Sequence, residues 1–190
     1  MEFEKILLDI IEEKYKFLGL DKKNTNNIFW KIIEFEGNAI GNIGEKFVKE
    51  ILKRLKIEFV ENTDNKSIHN EYDIHIQKPK EILLEIKSAR LGKKNLTFQF
   101  NGINPDYNYD YLICIGISET QAFYKIISKR DFIYIHQKEN RGHWIKIDGK
   151  NKKLVEMNPD NKVNYKLTLH KSSMNDISNF AEELTKYIFK

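Results

Sequence analysis

The sequence predicts an α/β fold in which a mixed central sheet is flanked by helices. Residues 39–55 place apolar side chains at helical spacing, as do residues 2–18 and, more briefly, residues 27–36. Residues 72–77 and 82–87 instead alternate apolar and polar side chains, which is the period of a half-buried strand. The chain therefore contains both kinds of element, with the helices first and the strands after them.

The second half of the chain predicts strands around a more variable stretch. Residues 112–117 form an apolar run without alternation, as expected for a strand that is covered on both faces. We expect a strand over 122–127, a helix over 128–137 that is capped by Ser128, and loops or irregular strands over 138–164. The remaining predicted elements are strands over 57–60 and 165–169 and an amphipathic closing helix over 174–189.

Composition favours one folded, cytoplasmic domain. Apolar residues make up 41% of the 190, including twelve Phe and nine Tyr, which excludes a disordered chain. The single cysteine, Cys114, excludes a disulfide framework and a Cys-based zinc site, and it indicates a reducing compartment. Residues 1–20 mix apolar and charged side chains, so we expect neither a signal peptide nor a membrane span. The net charge of +4 is compatible with a polyanionic partner without requiring one.

Two acidic residues and a lysine converge on the predicted hairpin. Asp73 projects from the first strand, and Glu85 and Lys87 lie two residues apart on the second, so they share a face. An acid two residues before a lysine occurs six times, but only Glu85-Ile86-Lys87 lies in an apolar strand that follows an acid-bearing strand. Two carboxylates can hold a metal ion, and a lysine can offset the charge that develops on a phosphate during hydrolysis. The alternative is a surface hairpin with a cross-strand ion pair.

The hairpin carries a pattern that resembles the motif of the PD-(D/E)xK nuclease superfamily, which includes most type II restriction endonucleases. The pattern is Tyr72-Asp73, then eleven intervening residues, then Glu85-Ile86-Lys87. Residues 41–48 resemble the helix that opens that fold, in which a glutamate, here Glu45, often joins the metal site. The resemblance covers about residues 38–117, with tyrosine where the family name has proline. It implies a restriction-endonuclease-like core, a C-terminal elaboration over about 118–190, and a helix after the catalytic strand, where residues 96–100 themselves favour a strand or a short helical turn equally.

The resemblance implies a Mg²⁺-dependent endonuclease that cuts double-stranded DNA at specific sequences. Asp73 and Glu85 would hold the metal, with Glu45 as a further acid and the Ile86 backbone carbonyl completing the coordination. Lys87 would orient the attacking water and stabilise the transition state. A double-strand cut most simply requires two copies, so we expect a homodimer held by the N-terminal or the closing helix. Two alternatives stay open, a structure-specific repair or junction-resolving nuclease and a DNA-binding module on an inactivated nuclease fold.

Two segments combine side chains that read base edges with side chains that neutralise phosphates. The first directly follows the catalytic strand, and the second lies outside the part of the chain that the resemblance covers. We expect both segments to face the DNA. The candidate DNA-binding residues are Arg90, Lys93, Lys94, Asn95, Gln99, Asn101 and Asn104 in the first segment and Arg130, Arg141 and His143 in the second.

Overall fold

Strands dominate the computed structural model, which describes residues 25–61, 72–158 and 161–189 and the single positions 10, 13, 16 and 17. Short 3-10 turns connect several of the elements. In chain order the helices and strands are α1 (Gly37–Arg54), β1 (Phe59–Glu61), β2 (Ile74–Ile76), β3 (Ile82–Arg90), β4 (Thr97–Ile103), β5 (Tyr111–Ile117), β6 (Ala122–Ser128), β7 (Phe132–Ile135), β8 (Gly142–Ile147), β9 (Lys150–Lys153), β10 (Val155–Asn158), β11 (Asn161–His170), β12 (Asn175–Asp176) and α2 (Phe180–Ile188).

Six strands form a mixed central sheet in the order β1-β2-β3-β5-β6-β12. β2 and β3 form the predicted antiparallel hairpin, in which Ile74 lies opposite Leu84. β3 and β5 run parallel, with Glu85 opposite Leu112, and the other pairs of this sheet are antiparallel. Two smaller antiparallel sheets, β10-β11-β4 and β7-β8-β9, complete the set.

Both faces of the central sheet are covered, each by a different layer. On one face, isoleucines of β2, β3 and β5 pack against Val48 and Leu52 of α1 and Leu184 of α2. On the other face, Leu112 and Cys114 of β5 pack against buried side chains of β4, β8 and β11. Burying apolar area on both faces is the main stabilising contribution to such a layered fold. The order of layers is therefore helices, central sheet and smaller sheets.

α1 packs unusually close to β3 because it carries a glycine at the contact. A Cβ atom on Gly44 would lie 1.6 Å from Ser88 Oγ and 2.9 Å from Ser88 Cβ. No side chain fits in that space, so glycine is the residue that allows this approach. The contact fixes α1 beside the part of β3 that carries Glu85 and Lys87.

Several sequence predictions are confirmed, and others need correction. The helix over 39–55, the hairpin and the strands over 112–117 and 122–127 are present, each within a few residues of the expected bounds. Residues 27–36 contain only a 3-10 turn, Trp30–Glu34, in place of a longer helix. The predicted helix over 2–18 lies largely outside the described residues.

The predicted helix over 128–137 is wrong, although its cap is correct. Ser128 Oγ accepts a hydrogen bond from Arg130 N, but the helix ends after the single turn Lys129–Asp131. The chain then enters β7, where Phe132 pairs with Ile145 of β8. Strand pairing across the sheet thus overrides the local helical signal.

Two further expectations change, one for the family-like core and one for the closing helix. β4 occupies the interval between β3 and β5, where the resemblance implies a helix, and Phe98 of β4 packs directly over Gly116 of β5. The closing helix is shorter than predicted, and Phe180, Leu184 and Ile188 are each only 1% exposed. α2 therefore uses its apolar face in the core of its own chain, and that face is unavailable for a dimer contact.

Among the described residues, no helix is both long and apolar enough to cross a membrane.

Candidate active site

Asp73 and Glu85 face each other at the end of the β2–β3 hairpin. The register that pairs Ile74 with Leu84 places them opposite one another, and Asp73 N donates to Leu84 O at 2.9 Å. β2 begins at Ile74, so no backbone carbonyl of β2 pairs with the N–H of Ile86 on β3. A side chain accepts that hydrogen bond instead. Asp73 Oδ2 accepts it from Ile86 N at 2.7 Å. This bond fixes the Asp73 carboxylate against the exposed edge of β3.

Glu85 is buried, with only 4% of its surface exposed, and it forms an ion pair with Lys87. Burial raises the pKa of Glu85 to about 7, since the nearby Lys87 only partly offsets it and Asp73 adds to it. A buried carboxylate is costly unless a cation or hydrogen bonds compensate it. The alternative of an exposed hairpin with a surface ion pair is therefore wrong.

Lys87 supplies a fixed positive charge beside the two carboxylates. Burial lowers the pKa of its ammonium group, but Glu85, Asp73 and Glu45 together outweigh burial, so the pKa is raised. Lys87 is consequently protonated at neutral pH. It can stabilise negative charge that develops nearby, and it is not a proton acceptor.

α1 brings Glu45 to the same edge of β3, as the resemblance implies. Glu45 is half-buried, and its pKa is raised first by burial and then by the neighbouring Asp73, while Lys49 and Lys87 oppose the rise. Lys49 Nζ lies 3.9 Å from Glu45 and 3.0 Å from Glu61, so it bridges these two acids. The described structure thus places a third carboxylate in electrostatic contact with the Asp73–Glu85 pair.

Lys87 and Glu45 line a cleft of about 840 Å³ between α1, β3 and the β10-β11-β4 sheet, and Asp73 and Glu85 lie next to these two residues, outside the described lining. Its size is in the range of ligand-binding clefts. A separate cavity of about 680 Å³ lies beside residues 25–35, but Lys31 is the only charged side chain in its described lining. The described lining of that second cavity contains no carboxylate. Polar and charged residues that line the first cleft include Glu45, Lys87, Arg90, Gln99, Asn101 and Asn164.

The oxygen donors at the cleft fit a magnesium ion held partly by protein and partly by water and substrate. Mg²⁺ prefers oxygen and is usually bound through one or two carboxylates, keeping several waters. Asp73 and Glu85 would supply those carboxylates, and strand geometry puts the Ile86 carbonyl on the same edge of β3 as Ile86 N. Within the described residues, no group of three or more His, Cys, Asp or Glu side chains is arranged to hold a metal ion. The donor set suits an open site and not a closed cage.

Three of the seven predicted residues of the first segment, Arg90, Gln99 and Asn101, line the cleft. Gln99 and Asn101 alternate along β4 with the buried Phe98 and Phe100, so both amides point away from the core. Asn104 is a correction, because it is only 4% exposed and its Oδ1 accepts from Asp106 N within its own loop. A side chain so placed stabilises its own loop and is not available at the surface.

Arg90 lines the end of the cleft but is also a structural residue. Its Nη1 donates to Ile33 O at 2.7 Å and holds the 3-10 turn Trp30–Glu34 against β3. Lys93, Lys94 and Asn95 form an exposed turn beyond Arg90 and do not belong to the described lining.

The three predicted residues of the second segment lie outside the described lining of the cleft. Arg130 is exposed and lines a groove with Lys80 and Glu81, near the turn of the β2–β3 hairpin. Arg141 is exposed, and its Nε donates to Tyr134 Oη at 3.2 Å. His143 is half-buried with Tyr134 and Tyr165 against it, at ring-centroid distances of 4.8 and 5.0 Å, and burial lowers its pKa. His143 therefore packs as a neutral ring.

The cleft residues that sequence reasoning missed include Gly102, Met157 and Asn164. Gly102 has a signal in principle, because a glycine within a strand often marks the close approach of another group. Its φ is +73°, and a Cβ at this position would lie 4.0 Å from Lys87 Cε. Met157 and Asn164 reach the cleft only through strand pairings across sheet β10-β11-β4, which no local pattern reveals.

Comparison with known proteins adds no assignment to this geometry. No protein-family model matches the chain, and no curated protein shows significant similarity to it.

Proposed function

We propose that the chain is a Mg²⁺-dependent endodeoxyribonuclease that hydrolyses phosphodiester bonds of double-stranded DNA, on a restriction-endonuclease-like core. The observation that carries the proposal is the buried Glu85, which faces Asp73 across a hairpin and is paired with Lys87, and Lys87 lines an open cleft. A fold gains little stability from burying an acid–lysine pair in place of apolar side chains. Such an arrangement is more often retained for chemistry.

Each residue has a defined role in this proposal. Asp73 and Glu85 would hold the metal ion, with Glu45 as a further acid beside them. The metal supplies Lewis-acid activation of water and of the scissile phosphate. Lys87 orients the attacking water and stabilises the extra negative charge of the phosphate in the transition state, because its ammonium stays protonated.

Cleavage of plasmid DNA by the purified chain tests the proposal directly. Supercoiled plasmid with Mg²⁺ should be converted to linear fragments, whereas excess chelator should abolish cutting and Ca²⁺ should permit binding without cutting. Glu85→Ala and Lys87→Ala should each lose on the order of a hundredfold or more in rate. Asp148→Asn is the matched control, since Asp148 precedes Lys150 in the same acid-x-lysine spacing but lies in an exposed turn. Full activity of both site variants, or full activity in chelator, would contradict the assignment.

The form of the products separates the three classes of activity. Discrete fragments indicate a sequence-specific type II enzyme, which we favour because amide side chains line the cleft beside the proposed catalytic residues. Cutting confined to branched or damaged DNA indicates a repair or junction-resolving nuclease. A mobility shift without any cutting indicates a DNA-binding module.

We further propose that two copies act together on the duplex, because one site of this kind cuts one strand. Analytical ultracentrifugation of the full chain, free and with a short duplex in Ca²⁺, tests this point. A dimer on DNA is expected, and monomers under both conditions would refute it.

A further inference from the structure

The outer face of the β10-β11-β4 sheet is unlike the rest of the cleft. Along β4, Phe98 and Phe100 are buried while Gln99 and Asn101 are exposed, so the amides form the solvent side of the strand. Asn164 of β11 is also exposed and lines the same cleft. Three carboxamides therefore lie on one wall, across from Lys87.

None of the three amides is used to hold the fold together. No side-chain hydrogen bond engages Gln99, Asn101 or Asn164 within the part of the chain that the structure describes, in contrast to Asn104, whose Oδ1 caps a loop. Among the described residues, the lining of the cleft contains a single carboxylate, Glu45, and it lies on α1. The amide wall is thus polar, exposed and free of negative charge, which suits a polyanionic duplex.

β4 also passes close to the proposed catalytic lysine. Gly102 has a φ of +73°, and a Cβ there would lie 4.0 Å from Lys87 Cε. A group bound along the outer face of β4 is therefore next to the site where phosphate would be cut. A ligand bound in the cleft would therefore contact both the amide wall, formed by Gln99, Asn101 and Asn164, and Lys87 of β3.

We propose that this wall reads adenine bases of the DNA substrate, an inference that rests on the proposed nuclease function. A carboxamide carries one acceptor and an NH₂ donor, and this pair matches the N6 donor and N7 acceptor of adenine in the major groove. No other base presents that pair with the same geometry. Gln99 and Asn101, two residues apart on one face, are the principal readers, and Asn164 is the third.

Selection of duplexes from a random library in Ca²⁺ tests the inference without cleavage. The selected sites should share adenines at fixed positions. Replacing one of these by 7-deazaadenine removes N7 and keeps base pairing, and it should weaken binding on the order of tenfold. Gln99→Ala or Asn101→Ala should weaken binding to a similar extent and should no longer respond to the base analogue at one position.

Asn151→Ala is the matched control, because Asn151 is an exposed strand amide on β9, away from the cleft lining. It should retain the full response to 7-deazaadenine, and circular dichroism should show that all variants are folded. Selected sites without a shared adenine, or amide variants with unchanged preference, would overturn the inference. Plasmid cutting with no sequence preference would overturn it while leaving the nuclease proposal intact, whereas the absence of DNA binding would overturn both.

Discussion

Asp73 Oδ2 accepts a hydrogen bond from Ile86 N at 2.7 Å, and in doing so it takes the place that a backbone carbonyl has in a longer hairpin. The same carboxylate lies opposite Glu85 and contributes to the raised pKa of Glu85. Oδ2 of Asp73 therefore contributes a hydrogen bond to the fold, while the charge of the carboxylate acts on Glu85. Asp73 therefore has both a structural role and a proposed catalytic role.

Asp73→Asn and Asp73→Ala should separate these two roles. Asparagine keeps an oxygen that can accept from Ile86 N, so its unfolding free energy should stay close to that of the wild type. Alanine leaves that N–H without its acceptor and should lose about 1–3 kcal/mol. Both variants should lose Mg²⁺-dependent cleavage on the order of a hundredfold or more, because the charged metal ligand is gone. Urea denaturation and plasmid cleavage measure the two effects, and equal stability of both variants would count against the structural role.

Glu85 should make the metal-free protein less stable as the pH rises. Its pKa is about 7 in the folded state, above the ordinary value of 4.5, so between these values the folded chain binds a proton that the unfolded chain releases. The unfolding free energy therefore falls through this window, by at most about 3 kcal/mol at roughly 1.4 kcal/mol per unit. Glu85→Gln should remove this contribution, whereas Glu58→Gln on the surface should retain it. Chemical denaturation in chelator at several pH values measures the slope, and identical slopes for all three proteins would contradict the prediction.

Lys87→Gln should affect cleavage in two distinguishable ways. It removes the positive charge that stabilises the transition state, which lowers the rate at every pH. It also removes the interaction that lowers the pKa of Glu85, so that pKa should rise further above about 7. The variant should therefore recover part of its activity at alkaline pH, and Lys87→Arg should need less alkali because it keeps a charge. A pH–rate profile of Lys87→Gln parallel to that of the wild type would argue against this coupling.

Gly44→Ala should destabilise the protein, because the added Cβ would lie 1.6 Å from Ser88 Oγ. We expect a loss of about 1–3 kcal/mol in the unfolding free energy, as for an overpacked core. Gly41→Ala on the same helix is the matched control, since its Cβ would meet nothing within 4 Å, and it should be neutral or slightly stabilising. Ser88→Gly should rescue Gly44→Ala, and a double-mutant cycle from urea denaturation measures the coupling.

Local periodicity is sufficient to predict α1, the β2–β3 hairpin and β5, because each satisfies its own pattern without help from distant residues. The catalytic candidates follow from that pattern, since Glu85 and Lys87 share a face by alternation alone. The 128–137 segment could not be predicted in this way, because Phe132 is held in β7 by its pairing with β8. The same reason applies to Asn164, which enters the cleft only because β11 pairs with β4 from far along the chain.

The short connection between β3 and β4 has a consequence for where the chain would cut. Only residues 91–96 separate the two strands, Gly92 N donates to Thr97 O at 2.8 Å, and Leu91 bridges to Phe98. The short connection and these two contacts therefore hold the proposed cutting residues of β3 close to the proposed reading residues of β4. Under the proposed function, the scissile bond lies within or directly beside the recognised bases, at an offset set by the backbone.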